Sequence, residues 1–185
     1  MLFNILFKKK RLKTATAQNY TAEFTRGKPR PDSADHFYFT DDTSLLHSTT
    51  LGGDVSVYLD GLPRFEIVVD SATGICVYIQ AYLNQLRVKS TDLRIPDFRK
   101  NYLIFSSDDL STSYYLSKAD QFFIDLKRHI LCFGNPEAVG KSTEFCDKAV
   151  AITNNGDLEC IYMNLEDVFN EPEAWERLVN CLVID

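Results

Sequence analysis

The chain has 185 residues, 45% hydrophobic and 25% charged, a globular composition with enough apolar mass for one well-filled core. Its net charge of −6 argues against general nucleic-acid binding. No apolar run reaches the roughly 18 residues of a membrane-spanning helix, and the apolar head at residues 1–7 precedes its lysines, the reverse of a secretion signal.

Charge is distributed unevenly. Residues 1–30 carry eight Lys/Arg against one Glu, whereas residues 157–185 carry one Arg against eight Asp/Glu. In residues 1–13 the apolar head meets Lys8, Lys9, Lys10, Arg11 and Lys13. The expected state is a terminus docked on the body through Leu2, Phe3, Ile5 and Leu6. Peripheral contact of residues 1–13 with anionic lipid is the alternative. Residues 14–35, with Gly27, Pro29 and Pro31, read as a loop or linker.

Residues 36–40 (HFYFT) predict a short strand, residues 41–44 a turn or helix cap, and residues 45–51 a short helix or an irregular segment. The stretch 54–86 organises the rest. Val55, Val57 and Leu59 alternate with Ser56 and Tyr58, and Phe65, Ile67 and Val69 alternate with Glu66 and Val68. Asp60-Gly61 between them predicts an antiparallel hairpin with one apolar face. After a break at residues 71–74, Ile75, Ile79, Tyr82, Leu83 and Leu86 recur at helical spacing and predict a helix packed on that face.

Residues 89–101 are polar, and Pro96 excludes a central strand position. Residues 102–106 (YLIFS) predict a buried strand, residues 108–113 a loop, and residues 114–116 a short strand. Ser117 and Asp120 resemble a capping box. Phe123, Leu126, Ile130 and Phe133 then predict a helix, ended by Gly134-Asn135-Pro136. Residues 137–147 read as a short helix or irregular chain. Residues 148–153 and 158–163 flank Asn154-Asn155-Gly156-Asp157, a strong hairpin signal. Asn164 is a cap for a helix at residues 165–169. Pro172 suits the first position of another, with Trp175, Leu178, Val179 and Leu182 as its apolar stripe. Strict βαβ alternation is missing. The expected fold is therefore α+β, an antiparallel or mixed sheet built from hairpins with helices packed on it. The expected division is a basic N-terminal segment, residues 1–30, and a single domain, residues 31–185.

Motifs for chemistry are sparse. Residues 134–142 (GNPEAVGKS) approach the phosphate-binding loop G-x-x-x-x-G-K-[ST], but five residues separate the glycines and the loop needs four. His36, His47 and His129 lie far apart and none sits in a nucleophile motif. Metal ligation lacks both HExxH and paired cysteines, so neither a metal nor a cofactor is expected. The five cysteines, at positions 76, 132, 146, 160 and 181, read as reduced thiols of a cytoplasmic protein, most of them small core residues. The acidic pairs Asp41-Asp42, Asp108-Asp109, Glu166-Asp167 and Glu171/Glu173 fall in turns or at helix starts, where capping and the helix dipole account for each singly. Taken together, the acidic C-terminal region points to a cationic partner.

A small acidic α+β chain without a catalytic motif, carrying hairpins such as VSVYLDGLPRFEIVVD and AVAITNNGDLECIYMN, resembles the bacterial immunity proteins that neutralise polymorphic or contact-dependent growth inhibition toxins. The likeness is one of type over the whole chain and carries over no individual residue. It implies a non-enzymatic module that binds a basic toxin domain, a nuclease among the options. The expected contacts are Asp41, Asp42, Asp108, Asp109, Glu166, Asp167, Glu171 and Glu173, with Tyr114 and Tyr115 as aromatic anchors. The alternatives are a nucleotide-binding enzyme using Lys141 and Ser142 in the 134–142 loop, and a membrane-surface adaptor held by the basic N-terminus.

Overall fold

A computed structural model describes residues 10–11, 14–15, 37–40, 45–48, 55–58, 65–69, 74–105, 114–115, 121–146, 148–166 and 172–185. The described elements begin with β1 (Lys10–Arg11), β2 (Thr14–Ala15), β3 (Phe37–Thr40), β4 (Leu45–Ser48), β5 (Val55–Tyr58) and β6 (Phe65–Val69). The middle of the chain forms β7 (Cys76–Tyr82), β8 (Leu86–Ser90), β9 (Arg99–Lys100), β10 (Ile104–Phe105), β11 (Tyr114–Tyr115), β12 (Phe122–Asp125) and β13 (Ile130–Gly134). It closes with β14 (Lys141–Cys146), β15 (Ala149–Asn154), β16 (Asp157–Asn164), helix α1 (Pro172–Asn180) and β17 (Leu182–Ile184).

The architecture is broadly α+β but dominated by sheet, with α1 the one helix among the described residues. Strands β3-β4-β7-β6-β5 form an antiparallel sheet. Strands β17-β8-β12-β13-β16-β15-β14-β9 form a mixed sheet, in which β17, β8 and β12 run parallel to one another and β9 runs parallel to β14. Short ribbons pair β1 with β11 in parallel and β2 with β10 antiparallel.

The hairpin signals are realised. β5 and β6 pair from Val55↔Val69 to Tyr58↔Glu66. β15 and β16 close through Asn154↔Asp157, with Asn155 and Gly156 at φ +50° and +81°, the left-handed pair that a type I′ turn requires. The strands expected at residues 36–40 and 114–116 are β3 and β11, and the helix beginning at Pro172 is α1. The strand expected over residues 102–106 is confined to Ile104–Phe105.

Several expected helices are strands. The stripe at residues 75–86 is β7, a turn and β8. Ile79 and Leu83 are spaced by four, a spacing that keeps one face in a strand as well as in a helix, whereas the bulge opposite Val68 and Val69 turns Ile75 to a separate cluster with Ile104. Ile75, Ile79 and Leu83 are buried, and the chain turns at Leu83–Gln85, with Gln85 at φ +59° and its N–H donating to Cys181 O at 2.7 Å. The stripe over residues 123–133 is the hairpin β12–β13. Both strands bury both faces, so they read as continuous apolar runs rather than alternating ones. The segment at residues 45–51 contains β4, and residues 137–147 contain β14. Leu182 lies in β17, beyond the helix whose stripe it was expected to join.

The mixed sheet separates two apolar layers. One face carries Leu86, Val88, Phe122, Ile124, Leu131, Phe133, Ile161 and Met163, packed with Ile67, Val69, Ile79 and Ala81 of the antiparallel sheet and with Trp175 and Leu178 of α1. The other carries Ile130, Cys132, Val150, Ile152, Cys160 and Tyr162 beneath Leu93, Ile95 and Ala138. The irregular segments around residues 91–98 and 135–140 are therefore the lid of the second layer.

Candidate functional site

The acidic C-terminal region is built on α1. Pro172 opens the helix with its φ already suited to it, and Glu173 lies in the first turn, where a carboxylate complements the helix dipole. Trp175 and Leu178 turn inward at helical spacing and are buried. The Trp175 ring lies 4.5 Å from that of His129 at 32° between planes, joining the helix to the β12–β13 turn. Glu173, Glu176 and Arg177 face solvent. Glu166 is also exposed, its N–H donating to Asn164 Oδ1 at 3.1 Å. Asn164 thus makes the local bond of a cap, while the helix expected at residues 165–169 lies largely outside the described residues. α1 therefore presents carboxylates from a rigid base. Glu176 belongs to this face although no acidic pair marked it in the sequence.

Of the other expected contacts, Tyr114 and Tyr115 form β11 and are the strand partners of Lys10 and Arg11. The pairing sets the backbone of Lys10–Arg11 alongside that of the two tyrosines. Asp41, Asp42, Asp108, Asp109, Asp167 and Glu171 lie outside the described residues.

The buried acids serve the fold. Asp125 accepts from Leu93 N–H at 2.9 Å, from Lys127 N–H and Arg128 N–H at 3.0 Å each, and from Arg128 Nη1 at 2.6 Å. Burial opposes ionisation of this carboxyl, but the four hydrogen bonds outweigh it and hold the pKa at about 2, against an ordinary 3.8. Glu144 pairs with Lys100 at 3.5 Å and accepts from Lys148 N–H at 3.3 Å. On the second apolar layer, Tyr162 donates its hydroxyl to Pro136 O at 2.6 Å, tying the 135–140 segment to the sheet. Burial raises the pKa of the Cys132 thiol, and burial with the neighbouring thiols raises that of Tyr162. Cys76, Cys132 and Cys160 are buried free thiols, as core residues should be.

The loop at residues 134–142 is not a phosphate-binding loop in shape. Gly134 ends β13, Ala138 N–H donates to Asn135 O at 3.1 Å in a turn, and Lys141 begins β14. A strand follows the Gly-Lys-Ser, so there is no helix N-terminus to hold a phosphate. Lys141 and Ser142 instead line a cleft of about 320 Å³ with Gly140, Asp97, Phe98 and Arg99. The cleft exists because β9 pairs with β14 only at Thr143↔Arg99 and Glu144↔Lys100, leaving the Lys141–Ser142 end of that edge uncovered. No sequence signal joins residues 97–99 to residues 140–142, since their proximity comes from a parallel strand pair remote in sequence.

Among the described residues, no group of His, Cys, Asp and Glu is arranged to hold a metal ion, and no helix is long and apolar enough to cross a membrane. No protein-family model matches this sequence, and none of the curated proteins matches it.

Proposed function

We propose that this chain is a non-enzymatic protein-binding module of the immunity type, a cytoplasmic protein that binds and neutralises a basic toxin domain. The observation that carries the reading is the outward face of α1. Glu173 and Glu176 are exposed on a helix whose other side is locked down by Trp175 and Leu178, with Glu166 exposed on the approach to it. The helix backbone beneath these carboxylates needs no reordering on binding, and the carboxylates steer a cationic partner during encounter. The strongly acidic balance of residues 157–185 extends the same field.

The test begins with a pull-down from the native organism and titration of the basic protein recovered. The expected result is one-to-one, nanomolar, salt-sensitive binding that abolishes a toxic activity. Reversing Glu166, Glu173 and Glu176 to Lys together is then expected to slow association roughly tenfold at low ionic strength and to flatten its salt dependence. An association rate and salt response equal to those of the wild type would remove α1 from the interface.

A further inference from the structure

We propose that the cleft between residues 97–99 and 140–142 is a binding site for a small aromatic or heteroaromatic carboxylate. This site is separate from the acidic face of α1 and rests on different observations.

The first observation is electrostatic. Arg99 and Lys141 are both exposed, and neither forms an ion pair with an acid among the described residues. Neighbouring cations do find acids. Lys100 pairs with Glu144, and Arg128 pairs with Asp125 and Asp92. Arg99 lies opposite Thr143, two residues beyond Lys141. Side chains alternate along a strand, so the register puts the two cations on the same side of the sheet edge. Like charges so placed repel each other, and an anion between them relieves the repulsion.

The second observation is apolar. Phe98 in the cleft wall is 45% exposed. An aromatic ring partly left in water in the cleft wall offers a stacking surface for a flat group. The volume falls at the low end of the small-ligand range.

Net charge selects the anion. Arg99 and Lys141 against Asp97 leave one positive charge in the lining, which matches a monoanion better than a phosphate dianion. The guanidinium fork fits a carboxylate with two parallel hydrogen bonds. Asp97 is placed to repel a second negative charge or to accept from a donor on the ring.

The test uses the full chain labelled with ¹⁵N, titrated with benzoate, benzyl alcohol and inorganic phosphate in turn. Benzoate is expected to shift the amides of residues 97–99 and 140–142 saturably, and the two controls to bind at least roughly tenfold more weakly, each lacking either the charge or the ring. Arg99→Met and Lys141→Met are each expected to weaken benzoate roughly tenfold while leaving the amide spectrum of the β15–β16 hairpin in place. Absence of saturable shifts at those residues would overturn the proposal. So would phosphate binding as tightly as benzoate, or unchanged affinity in both variants. If the variants fail to fold, the three-probe comparison on the unmodified chain decides by itself.

Discussion

Replacing Asp125 by Ala is expected to destabilise the protein by about 3 kcal/mol, because it strips the acceptor from three backbone N–H groups and a guanidinium at once. Asp125 is 2% exposed and ties Leu93, in the lid over the second apolar layer, to the turn that joins β12 to β13. Arg128 is half exposed, so water recovers part of its loss, which keeps the figure below that of a fully buried pair. The urea midpoint is expected to fall with little change in slope, and Tm to drop by roughly 6–12 °C. A loss under about 1 kcal/mol would show that the four hydrogen bonds are replaced by water. The same carboxyl makes stability depend on pH. Its folded pKa of about 2 lies below the ordinary 3.8, so its contribution is fully present above about pH 4 and disappears as pH falls through 2. The difference in unfolding free energy between wild type and Asp125→Ala, followed from pH 5 to pH 2, is expected to narrow through that window by about 1–2 kcal/mol, screened at the exposed Arg128.

Gly134→Ala is expected to cost about 3–5 kcal/mol, the sum of backbone strain and a collision with the neighbouring strand. Gly134 has φ +102°, which side chains rarely adopt. A Cβ there would press on the Glu159 carbonyl oxygen and lie 2.8 Å from Cys160 Cα, in the backbone of β16. Gly134 is also the last residue of β13 and pairs with Cys160, so relief requires prising apart the centre of the mixed sheet. Gly156→Ala is the matched control. Its φ of +81° is in the tip of the β15–β16 hairpin, away from the centre of the sheet, and about 1 kcal/mol is expected from the backbone strain. Equal losses at the two positions, measured by urea unfolding, would show that packing against β16 has no part in the effect at Gly134.

The residues that marked hairpins in the sequence were those whose backbone chemistry is local. Asn155-Gly156 needs only its own two left-handed conformations to turn the chain, and residues 55–58 alternate on one side of Asp60-Gly61, with Phe65, Ile67 and Val69 at every second position on the other. The expected helices at residues 75–86 and 123–133 came out as strands for a reason of arithmetic and one of burial. A spacing of four is shared by the two periods at Ile79 and Leu83, and a bulge in β7 shifts the alternation upstream of them. In β12 and β13 both faces are buried, which erases alternation. The turn that breaks the second stripe depends on Asp125, whose carboxylate takes the Lys127 and Arg128 amides and competes with helical bonding. The exposure of Glu173 was legible, because a carboxylate in the first turn of a helix follows from local rules. Glu176 emerged only once α1 had a defined inner side. The cleft could not be read at all, because Arg99 and Lys141 meet through the parallel pairing of β9 with β14, and a parallel pair carries no turn signature.

The position of β8 has a consequence in time. It lies between β12 and β17 and runs parallel to both, so neither partner is its neighbour in sequence. On a growing chain, Leu86 and Val88 emerge long before Leu182. At about 5–20 residues per second, the wait is on the order of 5–20 s. Over the same interval the β15–β16 hairpin has had its turn and both strands, and such hairpins close in roughly 1–10 μs. The mixed sheet is thus completed at an old strand rather than at the newest one. Until β17 arrives, β8 offers an open apolar edge, and that interval is when a chaperone would have something to hold.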